Sequence, residues 1–122
     1  MTTTIAAVRQ TDETQVYAAG EVIFRAGEPG ALMYVVKSGK VDISLGGELI
    51  DSVGAGGIIG EMAIISDEPR VATAIARTDC VLTPIDQRRF ELLVQETPYF
   101  AIMVMRVLAE RLRRRHYRTR WA

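Results

Sequence analysis

The chain has 122 residues, which is the size of one domain with one hydrophobic core. Hydrophobic residues make up 48% of it and charged residues 25%, a profile typical of a soluble globular protein that excludes a disordered chain. The formal net charge is zero, but residues 1–105 hold eight Lys or Arg against fourteen Asp or Glu, whereas residues 106–122 hold seven Arg against Glu110. We therefore expect an acidic body with a basic C-terminal segment.

Residues 1–10 predict neither a signal peptide nor an anchor, because no basic start is followed by an apolar run. No stretch approaches the ~20 apolar residues that span a bilayer. The single cysteine, Cys80, excludes an internal disulfide and a cysteine-based zinc site and is typical of a reducing compartment. We expect a cytoplasmic protein that does not contact a membrane.

Residues 15–53 predict β-structure with tight turns, because short apolar runs alternate with Gly and Pro at close spacing. Gly46-Gly47 suits a two-residue hairpin turn, since glycine tolerates a positive φ. Many short strands joined by such turns are typical of a barrel or a jelly roll. The predicted strands are Val22–Phe24, Leu32–Val36, Val41–Leu45 and Leu49–Val53.

The second half of the chain predicts a short helix, two strands and two longer helices. The short helix is expected at Gly60–Ile65, and the strands at Val71–Ala76 and Cys80–Ile85. Asp86 is a predicted N-cap for a helix that ends near residue 95, and Pro98 suits the first position of a helix that runs to about residue 116. Apolar residues at helical spacing predict one buried face on that last helix: Phe100, Met103, Val104, Val107, Leu108 and Leu112.

Together these elements predict a mainly β fold with flanking helices. We expect a double-stranded β-helix, a jelly-roll-like β-roll, over about residues 16–86, followed by two C-terminal helices. All 122 residues are expected to form a single domain.

Residues 60–73 combine features that suit an anionic ligand. Backbone N–H groups at a helix start around Glu61 to Ala63 favour an anion, and Arg70 adds a permanently charged guanidinium that can bind phosphate oxygens. A carboxylate at such a site is unfavourable unless it accepts hydrogen bonds from the ligand, as Glu61 would from a ribose hydroxyl. The residues alone leave a second interpretation open, namely a surface salt bridge between Glu61 and Arg70.

The same segment resembles the cassette of the cyclic-nucleotide-binding domain family. That cassette reads Phe-Gly-Glu, two or three small or apolar residues, a short loop, Pro-Arg and a small-residue strand. The resemblance covers roughly residues 17–115 and implies an eight-stranded β-roll that binds cyclic AMP or cyclic GMP. The matching cassette residues are Gly60, Glu61, Ala63, Pro69, Arg70, Ala72 and Thr73.

The resemblance also implies a role for each cassette position. Glu61 would bind the ribose 2′-hydroxyl and Arg70 the cyclic phosphate. Gly60 begins the cassette, and backbone groups of four further residues would complete the phosphate shell: Met62, Ala63, Val71 and Ala72.

Other positions are expected to contact the base and sugar. We take Ile50, Val53 and Ile59 as candidates for the apolar wall of the site. Arg115 and His116 align with the base-contacting residues of the final, lid-forming helix in catabolite-activator-like members. For His116 the alternative is a solvent-exposed residue stabilised by the helix dipole.

Two positions depart from the family pattern. Ile59 stands where the family usually has Phe, which keeps the position apolar. Val71 stands where members that prefer cyclic GMP often place Thr, whose hydroxyl can reach the guanine amine. This substitution favours cyclic AMP over cyclic GMP.

The resemblance therefore predicts a stand-alone cyclic AMP receptor whose final helix moves on binding and signals to a partner protein. A homodimer through that helix is a further expectation. Two alternatives stay open: an interaction module that has lost the ligand, and a nucleic-acid-binding regulator that uses the basic residues 111–120. DNA binding is not expected, because no helix-turn-helix follows the final helix.

An enzyme is not expected. The chain has one histidine, His116, and no cysteine cluster, so a catalytic metal site is not predicted. No serine has a histidine placed to activate it. We expect no metal and no cofactor, only the cyclic nucleotide as a ligand.

Overall fold

The computed structural model describes residues 13–121, with side chains described as far as residue 114. Within these residues the chain forms eight strands and three helices. The strands are β1 (Gln15–Tyr17), β2 (Val22–Phe24), β3 (Met33–Ser38), β4 (Val41–Leu45), β5 (Glu48–Val53), β6 (Ile58–Ile59), β7 (Thr73–Ala76) and β8 (Cys80–Ile85). The helices are α1 (Met62–Ile65), α2 (Gln87–Glu96) and α3 (Pro98–Trp121).

The strands form two four-stranded antiparallel sheets, in the orders β1-β8-β3-β6 and β2-β7-β4-β5. Strands distant in sequence therefore lie side by side. The first strand pairs with the last, and β4 has both β5 and β7 as neighbours. This arrangement confirms the predicted β-roll followed by two C-terminal helices.

Strand β3 is buried on both faces, because it separates the interior of the roll from the helices. Tyr34 and Val36 belong to the apolar cluster inside the roll. Their neighbours Met33 and Val35 face the other way and pack with residues of α2 and α3, including Phe100. This double burial explains the continuous apolar run in a strand that would otherwise alternate.

The last two helices are positioned by their termini and by one apolar face. The Oδ1 atom of Asp86 accepts a hydrogen bond from the Arg89 backbone N–H at 2.8 Å. Asp86 is therefore the N-cap of α2, as the sequence predicted. Phe100 is fully buried at the start of α3, and its ring packs edge-on against Phe90 of α2 with 5.7 Å between centroids.

Several predicted boundaries differ from those observed. Strands β1 and β6 were not predicted, because runs of three and two residues are too short to show a period. Strand β7 begins at Thr73, not residue 71, because the chain bends at Val71 and Ala72 directly after the cassette arginine. Helix α1 begins at Met62, with Glu61 at its N-cap.

Leu112 does not belong to the buried stripe of α3, since 68% of it is exposed. It lies seven residues, about two turns, beyond Met105, which is 58% exposed. The two side chains therefore share the outer face of the helix. The inner stripe ends at Leu108.

No single helix among residues 13–121 is long and apolar enough to cross a membrane. The bent pair Gln87–Glu96 and Pro98–Arg114 meets that test jointly, by length and composition only.

Candidate functional site

Arg70 is a buried cation at the centre of the cassette, with 8% of its surface exposed. Its backbone is tied to the turn after β2: Arg70 N–H donates to the Glu28 carbonyl at 2.8 Å, and Gly27 N–H donates to the Arg70 carbonyl at 2.7 Å. These two bonds fix the direction in which the side chain leaves the backbone.

The guanidinium of Arg70 has fewer acceptors than it can use. Nη1 donates to the Gly60 carbonyl at 3.3 Å, and Cζ lies 4.1 Å from the centre of the Phe24 ring. Nε is buried and has no hydrogen-bond partner. Burial lowers the pKa of Arg70, while the nearby Tyr34, Glu28 and Glu61 oppose that shift. An anion placed here would supply the missing acceptors.

Gly30 and Gly60 make room for the Arg70 side chain, because neither has a Cβ atom. A Cβ at Gly30 would lie 2.5 Å from Arg70 Cζ, and a Cβ at Gly60 would lie 2.7 Å from Nη1. Gly60 also has φ of +74°, a conformation that favours glycine. The cassette glycine is therefore required both by its backbone angle and by the arginine beside it.

Glu61 is a buried carboxylate with one satisfied oxygen and one unsatisfied oxygen. The residue is 4% exposed. Its Oε2 atom accepts a hydrogen bond from Arg111 Nη1 at 2.6 Å. Its Oε1 atom is buried without a partner. Among the described ion pairs, Glu61 is paired with Arg111 and not with Arg70, so the surface salt bridge that the sequence left open is not formed.

Arg111 connects the last helix to the roll, and the sequence analysis missed it. Nη2 donates to the Ile58 carbonyl at 2.8 Å, and Nε lies 3.6 Å from Asp51 Oδ2. Arg114 also contacts Asp51, with Nη1 3.3 Å from Oδ1. The sequence alone places Arg111 in the basic C-terminal segment. Its spacing of seven residues from the buried Val104 places it on the inner face, and that signal could have identified it.

A groove of about 430 Å³ opens between α3 and the segment from β5 to β6. Val53, one of the residues expected in the apolar wall, is among those that line the groove. The lining does not include Ile50 or Ile59. Ile50 is the extra residue at an irregularity in the β4–β5 pairing, and Ile59 is fully buried in the interior of the roll. From α3 and the glycine segment, the groove is lined by Gly54, Ala55, Gly56, Gly57, Met103, Arg106, Val107, Glu110, Arg111 and Arg114.

The other predicted site residues surround the cassette. Ala63 and Ala72 are buried and Met62 is half-buried, whereas Val71 is 51% exposed. The Ala63 N–H, one of the groups expected to favour an anion, donates to the Gly60 carbonyl at 3.3 Å and is therefore partly engaged within the turn. The side chains of Arg115 and His116 lie outside the described residues. No group of His, Cys, Asp and Glu side chains in the described part of the chain is arranged to hold a metal ion.

The fold and the site together define a class of protein. A β-roll with a recessed cation, a recessed carboxylate and an adjoining groove is a small-ligand binding domain. Residues 14–97 match the sequence model of one protein family, whose description is “Cyclic nucleotide-binding domain”. The chain therefore belongs to the cyclic nucleotide-binding domain family.

Known proteins similar to this chain fall into several regulatory classes. The cAMP-dependent protein kinase regulatory subunit of Eremothecium gossypii is 37% identical over 78 residues, which cover 64% of this chain and 17% of that protein. A cyclic nucleotide-gated potassium channel of Mesorhizobium japonicum is 38% identical over 93 residues, which cover 76% of this chain and 26% of the channel. The chain thus spans about a quarter or less of these relatives.

A solved structure is also similar to this chain over most of its length. The catabolite activator protein of Thermus thermophilus has a TM-score of 0.77 and 30% identity, over 88% of this chain and 53% of that one. These similar proteins are a kinase regulatory subunit, a channel and an activator protein, so the part that this chain shares with them is the binding domain.

Proposed function

We propose that this protein is a receptor for a cyclic nucleotide and that it prefers cyclic AMP to cyclic GMP. The supporting observation is a complementary pair of unsatisfied atoms in the cassette. Glu61 Oε1 is a buried acceptor without a donor, and Arg70 Nε is a buried donor without an acceptor. Because each such atom costs about 1 to 3 kcal/mol, a ligand that satisfies both gains affinity from both.

A cyclic nucleotide has the two groups that these atoms require. Its ribose 2′-hydroxyl is a donor for Glu61, and its phosphate is an acceptor for Arg70. A free phosphate would satisfy only Arg70, and a nucleoside would satisfy only Glu61. Relatives support the same ligand class, since those named above include a cAMP-dependent kinase subunit and a cyclic nucleotide-gated channel.

The preference for cyclic AMP rests on Val71. A valine there offers no hydroxyl to the guanine amine, so cyclic GMP gains nothing at this position. Val71 is 51% exposed, which leaves it accessible to a ligand held by the neighbouring Arg70.

We infer that the last helix carries the signal. Arg111 on α3 is bonded directly to Glu61, so a ligand at Glu61 changes the environment of the helix. The outer face of α3 exposes Ile102, Met105 and Leu112, which are 41%, 58% and 68% exposed. Together with the exposed Ala109, these residues are spaced alternately by three and four positions, as in helices that pair along one face. We therefore propose that a second copy of this chain binds to this face.

Isothermal titration calorimetry with cyclic AMP and cyclic GMP tests the receptor. Arg70→Ala should weaken cyclic AMP binding by ~10-fold or more, the value expected for a charge-assisted hydrogen bond of about 1.5 to 3 kcal/mol. Arg77→Ala is the matched control, because Arg77 is a surface residue paired with Asp42 and should leave affinity unchanged.

Three results would contradict the proposal. If the protein binds neither nucleotide, the receptor function is excluded and an interaction module that has lost its ligand is favoured. Equal affinities in the Arg70→Ala and Arg77→Ala variants would show that the cassette is not the phosphate site. Tighter binding of cyclic GMP would exclude the assigned preference. Hydrogen exchange of α3 with and without cyclic AMP tests the movement of the helix.

A further inference from the structure

We propose that Asp51 is a positioning residue that keeps one oxygen of Glu61 open for the ribose hydroxyl. The inference rests on the proposed function and adds to it a residue that sets selectivity for ribose over deoxyribose.

Each nitrogen of the Arg111 guanidinium has a different partner. Nη1 donates to Glu61 at 2.6 Å, Nη2 donates to the Ile58 carbonyl at 2.8 Å, and Nε faces Asp51 at 3.6 Å. An arginine beside a carboxylate commonly makes two parallel bonds to its two oxygens. Arg111 makes only one bond to Glu61, because its other donors are directed elsewhere.

This distribution explains the unsatisfied oxygen. Glu61 Oε1 is buried without a partner although a guanidinium lies on the neighbouring Oε2 atom. A second bond from Arg111 would satisfy Oε1 and lower the energy of the ligand-free protein. Two interactions oppose the rotation that this bond requires: the Nη2 bond to the Ile58 carbonyl and the attraction between Nε and the Asp51 carboxylate.

Asp51 is held firmly enough to act in this way. Its side chain is only 19% exposed, and its Oδ1 atom lies 3.3 Å from Arg114 Nη1. On β5 it faces Ile43, an apolar neighbour of the roll interior, so it lies on the same face as Val53. Two arginines and the wall of the groove therefore restrict its carboxylate.

Removing the charge of Asp51 has a counterintuitive expected effect. Simple electrostatics predicts that Asp51→Asn binds an anionic nucleotide more tightly, because a nearby negative charge is lost. Our proposal predicts weaker binding of a ribonucleotide: without the Asp51 charge, Arg111 has to give up only its bond to the Ile58 carbonyl in order to take both oxygens of Glu61, where it competes with the 2′-hydroxyl. The two explanations thus differ in the sign of the change.

The experiment is a titration of each variant with cyclic AMP and with 2′-deoxy cyclic AMP, which lacks the hydroxyl. We expect the wild-type protein to prefer the ribose form by ~10-fold or more, as for a hydrogen bond to a charged group. In Asp51→Asn this ratio should fall close to one, because cyclic AMP is bound more weakly while the affinity for the deoxy form does not fall.

Two further variants separate positioning from a general structural effect. Asp51→Asn combined with Arg111→Lys should restore part of the ribose preference, because a lysine ammonium is a point charge that cannot take both oxygens in parallel. Asp42→Asn removes one charge from the neighbouring strand, where Asp42 pairs with Arg77, and should leave the ratio unchanged. Thermal unfolding of every variant shows that it is folded.

The outcomes distinguish this inference from the proposed function. If the wild-type protein binds neither nucleotide, both the proposed function and the role of Asp51 are wrong. If it binds cyclic AMP with ribose preference and Asp51→Asn keeps the same ratio, only the role of Asp51 is wrong. Tighter binding of both nucleotides by Asp51→Asn would also overturn it, and so would failure of the double variant to regain any preference.

Discussion

The guanidinium carbon of Arg70 lies 4.1 Å above the centre of the Phe24 ring. This contact offsets part of the cost of burying a cation, since a cation–π interaction contributes about 0.5 to 2 kcal/mol. The Phe24 ring is itself stacked with Tyr34 at a centroid distance of 6.4 Å. The cassette therefore contains an aromatic ring that packs beneath a cation whose Nε has no acceptor.

Arg70→Met should stabilise the ligand-free protein while it weakens nucleotide binding. Replacing a buried charge that lacks full compensation with an apolar residue of similar volume is often stabilising. We expect the free energy of unfolding in urea to rise by about 1 kcal/mol, within the range seen for such replacements. A fall of similar size would mean that the Gly60 hydrogen bond and the Phe24 contact outweigh the desolvation of Arg70.

Gly30→Ala should destabilise the protein, because the new methyl group would overlap the Arg70 guanidinium. Overpacking of this kind costs about 1 to 3 kcal/mol. Gly54→Ala is the matched control: neither glycine has a positive φ, and a Cβ at Gly54 meets nothing within 4 Å. Urea unfolding measures both changes.

A double variant tests the cause of that effect. In an Arg70→Ala background the guanidinium is absent, so Gly30→Ala should cost almost nothing. A cost that persists in this background would place the strain in the backbone and not in the contact with Arg70.

Asp86→Ala should lower stability through the loss of the α2 N-cap. The Asp86 carboxylate accepts the Arg89 backbone N–H at 2.8 Å, and N-cap replacements by alanine cost about 1 kcal/mol. Asp86→Asn retains an acceptor and should keep most of the stability in a thermal unfolding experiment. Equal losses in the two variants would attribute the effect to charge and not to capping.

Met105→Glu should prevent the proposed pairing of two copies through α3. Met105 is 58% exposed between Ile102 and Leu112, and a charge there would have to be desolvated in the interface. Sedimentation equilibrium should show a dimer for the wild-type protein and a monomer for the variant. Val16→Glu, which alters a 74% exposed apolar residue on β1, should remain dimeric. If the wild-type protein is a monomer, the proposal that two copies pair through this face of α3 is wrong.

Features set by neighbouring residues could be predicted from the sequence. The turn at Gly46-Gly47, the Asp86 cap and the start of the last helix at Pro98 depend on local backbone preferences, and all three occur as expected. Glu61 and Arg70, both of which are buried, were proposed as site residues because they share one short segment. Strand boundaries were less accurate: β6 exists only because Ile58 and Ile59 pair with Val35 and Tyr34, more than twenty positions earlier.

The contact between Arg111 and Glu61 joins residues fifty positions apart. The helical spacing from Val104 indicates that Arg111 lies on the inner face of α3, but the residue that it contacts depends on the register of the helix on the roll. That register is decided by the packing of Phe100 and Val104 against Met33 and Val35. The sequence by itself therefore indicated Glu61 and Arg70 as candidate site residues, because both lie in one short segment. Only the tertiary structure decided that Glu61 is held by the last helix and that Asp51 lies beside it, because such contacts depend on how distant segments pack.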